Sequence, residues 1–103
     1  MAQDRHVYGE VNSATGLRTI FRDIRKDVSS ARSRPALSEL YKRAGYLITL
    51  TSAPAWRKKF GSQASALRQV AKTEFTSTAR KINSRAKTIG AEGDYDTKWG
   101  PGR

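Results

Sequence analysis

Cations set one helical turn apart carry the first chemical signal in this chain. Arg18, Arg22 and Lys26 recur every four residues, with Arg25 and Arg32 beside them. On a helical wheel the five fall on one flank, roughly 60° to 180° from Leu17, whereas Asp23 and Asp27 fall on the other. Like charges at this spacing cost an isolated helix roughly 0.2–0.5 kcal/mol per pair. Such a ladder suits successive phosphates or a row of carboxylates, each arginine offering a forked contact. The plainer reading is a solvated face whose long stems cover the edge of a core.

A second cluster, Trp56-Arg57-Lys58-Lys59-Phe60, sets two aromatic rings one turn apart and three consecutive cations beside and behind them. It reads as the second helix of a helix-turn-helix unit, with Glu39 to Leu50 as the first helix and Thr51 to Ala53 as the turn. It reads equally as rings that stack on unpaired bases while the cations hold the backbone. The simpler alternative, preferred for the rings, tucks both against the core and leaves the cations in water. Further along, Arg68, Lys72, Arg80, Lys81, Arg85 and Lys87 scatter around their helix, as ordinary solvated cations do. Those near its end also favour the helix macrodipole.

The last residues mix three carboxylates, Glu92, Asp94 and Asp96, with Tyr95 and Trp99. They suit a docking peptide anchored by its aromatic residues, an acidic flap over the basic helices, or an unstructured end, and the last is the preferred reading. Catalysis finds no support. His6 is the single histidine, there is no cysteine, and the carboxylates are few and gather towards the ends. Neither a Gly-rich phosphate loop nor a metal-ligand cluster occurs, so no cofactor or metal is expected.

The elements that must position these groups are helical. The longest apolar repeat runs from Ser62 to Ile89, where Leu67, Ala71, Phe75, Thr78, Ile82, Ala86 and Ile89 follow at steps of four or three. Ser62 is the expected cap and Gly90 the expected left-handed stop. Before it, Ser13 or Asn12 opens a helix to about Ser33, with Leu17, Ile20, Phe21, Ile24, Val28 and Ala31 as its stripe. Arg34-Pro35 breaks the chain and starts a second helix to about Leu50, which presents Leu37, Leu40, Tyr41, Ala44, Leu47 and Ile48. Its end, Gly45 to Leu50, also has the composition of a short strand, but one strand has no partner here. Pro54 opens a short helix that Gly61 stops.

The spacing therefore predicts an all-α fold, a small three- to four-helix bundle or open helical array with a long C-terminal helix. Residues 1–12 are expected to form a flexible arm, 13–90 a basic helical domain and 91–103 a flexible acidic-aromatic tail. The chain of 103 residues is 37% hydrophobic and carries a formal charge of +11. Between Val11 and Ile89 stand 17 lysines and arginines against Asp23, Asp27, Glu39 and Glu74, so the excess belongs to the helices. No secretory leader or membrane span is legible, and a cytoplasmic protein is expected.

The function expected is non-catalytic nucleic-acid binding, regulatory or architectural, through phosphate contacts by Arg18, Arg22, Arg25, Lys26, Arg57, Lys58 and Lys59. The rival is an adaptor that meets an acidic protein with the same basic flank and anchors it with Trp56, Tyr95 or Trp99. Lipid binding is disfavoured, because the apolar stripes are needed for the core. If the long helix outruns its neighbours, its exposed half predicts a homodimer.

Overall fold

The computed structural model describes residues 13–99. Four helices follow in order: α1 (Ala14–Ser30), α2 (Arg34–Ser52), α3 (Pro54–Phe60) and α4 (Ala64–Thr88), with a single 3-10 turn, Gly61–Gln63, leading into α4. The expected N-cap of α1 is present, as the Ser13 hydroxyl accepts from the Gly16 amide at 3.0 Å. Ser33 does the same for Ala36 at 3.3 Å, and Pro35 sits in the first turn of α2. Ser62 is not a cap. The chain enters α4 through the 3-10 turn, and the N-cap position falls on Gln63, whose side chain makes no capping bond. At the other end of α4, Gly90 takes φ +79 and the Ala91 amide reaches back to the Ala86 carbonyl at 2.7 Å, which closes the helix.

α1, α2 and α4 form an up-down-up bundle of 44 × 25 × 22 Å. Three polar contacts fix the direction of α1 against α4. The Arg25 guanidinium meets Glu74 and Thr78, and Arg85 Nε donates to the Ala31 carbonyl at 2.8 Å. The two helices therefore run parallel, with α2 antiparallel to both. Every predicted seam residue of α4 from Leu67 to Ala86 is buried, as are Leu17, Phe21, Ile24, Val28 and Ala31 from the first stripe. Ile20 and Ile89 are half-buried at its edge.

Residues Gly45 to Leu50 are helical. Their apolar run reflects burial of Leu47 and Ile48 rather than strand pairing. α4 outruns α1 and α2 in length, but Ile82 and Ala86 near its end are fully buried, so the exposed half on which the homodimer depended does not exist. No described helix is long and apolar enough to cross a membrane.

Residues 91–99 contain no helix or strand, as their glycines and short supply of apolar side chains dictate. They are nevertheless held in place, as a strap along the groove between α2 and α4. Asn83 clamps the backbone of Tyr95 twice, donating to its carbonyl at 2.8 Å and accepting from its amide at 2.7 Å. Tyr41 OH donates to the Asp96 carbonyl at 2.9 Å and Thr76 Oγ1 to that of Thr97 at 3.1 Å. Trp99 Nε1 donates to Thr49 Oγ1 at 3.1 Å.

Tyr41 is the hub of the strap's apolar contacts, with ring centroids 5.5 Å from Phe75, 5.0 Å from Tyr95 and 5.4 Å from Trp99. Gly45 makes the closest approach possible. A Cβ there would lie 2.5–2.6 Å from the Trp99 ring, so only glycine lets the indole lie on α2. The expected flexible tail is thus replaced, over 91–99, by a docked segment. The remaining four residues and the expected arm, 1–12 with His6, lie outside the described residues.

Candidate nucleic-acid interface

The direction of the helices determines where the charge goes. α1 and α4 begin at the end where α2 stops, so residues 13–22 and 42–72 occupy one half of the bundle. Arg18 lines a groove with Ala66, Gln69, Val70 and, at its edge, Glu74, and Ser52 lines another with Ser65 and Arg68. This half holds Arg18, Arg22, Lys42, Arg43, Arg57, Lys58, Lys59, Arg68 and Lys72, and no aspartate or glutamate among the described residues. The remaining described residues hold nine lysines and arginines against all seven carboxylates. The net positive charge of the described chain is therefore concentrated at one end. A polyanion would meet little like charge there, since Glu74, which borders the Arg18 groove, is already paired with Arg25.

The two predicted clusters fare differently. Arg18, Arg22, Arg57, Lys58 and Lys59 are exposed in the basic half, on α1 and α3. Arg25 is turned inward. Its Nη1 stands 2.9 Å from Glu74 Oε1 and 3.2 Å from the fully buried Thr78 hydroxyl, so it ties α1 to α4 instead of facing a ligand. Glu74 was the available signal, as the one carboxylate on an otherwise cationic helix. Lys26 is exposed but falls in the mixed half, between Asp23 and Asp27 in the sequence. Lys42, Arg68 and Lys72 join the basic half although the sequence pattern did not group them. Lys59 Nζ lies 5.3 Å from the Phe60 ring centroid, within reach of a cation–π contact.

The helix-turn-helix geometry is absent. Thr51 and Ser52 belong to α2, so Ala53 alone separates α2 from a helix of 7 residues. Trp56 is 4% exposed and packs against Phe60 at 4.4 Å between centroids, with its Nε1 lacking a hydrogen-bond partner. It anchors α3 to the bundle and offers no face to a base. Tyr95 and Trp99 are engaged by the strap's own contacts, so all three of the rival reading's anchors are spent within the chain.

Strap carboxylates serve the other half. Arg34, which the sequence pattern did not single out, donates to the Glu92 carbonyl and pairs with Asp94 at 2.7 Å while its guanidinium lies 4.6 Å from the Tyr95 ring centroid. The Asp94 hydrogen bond raises the Arg34 pKa above its ordinary value, as expected where a carboxylate stabilises the cation. Among the described residues, no group of histidine, cysteine and carboxylate side chains is placed to hold a metal ion. Comparison with protein-family models, curated proteins and solved structures finds no match for the chain.

Proposed function

We propose that this protein binds nucleic acid without catalysis, gripping the phosphate backbone with the carboxylate-poor half of the bundle. One observation carries the reading: Arg18, Arg22, Lys42, Arg57, Lys58, Lys59, Arg68 and Lys72 are all exposed there, on four different helices. Eight cations on a rigid scaffold repel one another, and phosphates relieve that repulsion while releasing condensed counterions. The contacts are to backbone, so affinity depends on salt more than on base sequence. A small architectural or regulatory role follows.

The test is a titration of the purified chain, stripped of co-purifying nucleic acid, against random duplex and single strands over a range of salt. With about six phosphates neutralised on duplex DNA, the log–log salt slope is expected near −5. A slope near zero removes the mechanism. Absence of binding at low salt rejects nucleic acid and leaves an acidic protein as the partner of the same surface.

A further inference from the structure

Two turns close together shape a cleft in the basic half. The chain leaves α2 at Ala53-Pro54, runs the short α3, and reverses again at Gly61, whose φ of +55 no other residue adopts readily. Between the end of α2, α3 and the start of α4 this leaves an open cavity of about 390 Å³, lined by Thr51, Ser52, Arg57, Gly61, Ser65 and Arg68. Its size falls within the roughly 300–1,000 Å³ of small-ligand sites.

The two arginines come from different helices, and among the described residues neither guanidinium makes a hydrogen bond or ion pair. Arg25, Arg34 and Arg85 are each satisfied by the fold. No carboxylate lines the cleft, and the nearest ones along the chain are Glu39 and Glu74. Two cations that share a cleft with no counter-charge raise each other's energy, and an anion between them reverses the sign.

The hydroxyls sort the cleft into two walls. Thr51 Oγ1 and Ser52 Oγ both donate to the Ile48 carbonyl, at 2.9 and 3.0 Å, and so present only lone pairs. The Ser65 hydroxyl makes no such bond and can donate. Arg57, Arg68 and Ser65 thus bring free donors to the cleft's lining, and a guanidinium fork matches a tetrahedral oxyanion better than a single charge does.

We infer that this cleft seats one phosphate group, held by Arg57, Arg68 and the Ser65 hydroxyl. The inference rests on the reading of the basic half as a phosphate-contacting surface, and it names one place on that surface where two side chains share a phosphate. The phosphate is either one of a strand or one carried by a small molecule.

Two experiments on the full chain test it. Inorganic phosphate is titrated at low salt while NMR follows the arginine Nε–H groups and the backbone amides. Saturable shifts are expected at Arg57, Arg68 and Ser65 with Arg80 unmoved, and Arg57→Gln or Arg68→Gln should abolish saturation. Weak, linear shifts spread over all exposed cations overturn the seat. The second is a double-mutant cycle read by single-strand binding. Each glutamine variant should weaken binding by about five- to tenfold, and the double variant by less than the product, because both side chains act on one phosphate. Full multiplicativity overturns the shared seat while leaving the wider reading intact. If the wild-type chain binds no strand but phosphate still saturates the cleft, the wider reading fails and the seat belongs to a small phosphorylated ligand.

Discussion

The two halves of the bundle are built from the same three helices and differ in what covers them. One half holds all seven described carboxylates and most of the strap, whose end reaches Gly45 and Thr49 of the other, and its Arg25, Arg34 and Arg85 are bonded within the fold. The other has exposed cations, no carboxylate among its described residues, and an open cleft. Pairing charge within the fold is therefore available to this chain, and the ion pairs Arg25–Glu74 and Arg34–Asp94 involve none of the eight exposed cations of the basic half. The unmatched end is where a partner of opposite charge gains most.

Removing the strap tests the comparison hardest. Deletion of residues 91–103 exposes Tyr41 and Phe75 and breaks the Asn83 clamp. A stability loss of about 3–5 kcal/mol is expected by urea unfolding, with strand binding unchanged within about twofold. A marked rise in affinity would instead place the strap's carboxylates over the phosphate contacts and erase the division between halves.

Charge reversal comes next. Arg57→Glu, Lys58→Glu and Lys59→Glu together should weaken binding by about a hundredfold at moderate salt, and the same change at Arg80, Lys81 and Lys87 by less than about tenfold. Equal losses would mean that the whole surface acts as a diffuse cation.

The smallest effect is the most diagnostic for packing. Glycine to alanine inside a helix ordinarily stabilises by up to about 1 kcal/mol. Gly45→Ala should destabilise by about 1–3 kcal/mol, because the added methyl collides with Trp99. In the deletion variant the sign should invert, since the indole is gone. Both are read from thermal or urea midpoints.

Most of the helical framework was legible because its punctuation is local. Ser13 starts a helix through its hydroxyl, and Pro35, Pro54, Gly61 and Gly90 start or stop helices through their own backbone chemistry; the observed bounds follow them closely. The strap was not legible, since its docking depends on which polar side chains α2 and α4 turn into a shared groove. Ser38, Thr76 and Asn83 look like ordinary surface residues until the two helices are set side by side. Gly45, a glycine inside an apolar helical run, was the sequence's one hint of a close approach.

The proposed surface was half legible. Sorting charges helix by helix identified the α1 flank, but the segregation runs along the bundle axis and depends on α1 lying parallel to α4. The run from Leu40 to Thr73 without a carboxylate was visible all along. Its meaning required knowing that the first turns of α1 fold beside it.

The strap also has a place in time. Its hydrogen bonds to α2 join residues 50 to 61 positions apart, and it contributes no helix that could form beforehand. Trp99 has nowhere to settle until Gly45 and Phe75 are neighbours. The strap must therefore close last during folding and open first under stress, as a sub-global unit with its own opening free energy. The Tyr95 amide should exchange with solvent hydrogen well before the amides of the α4 core. Of the chain's two indoles, Trp99 reports that opening by its emission while Trp56, buried on the inner face of α3, holds constant.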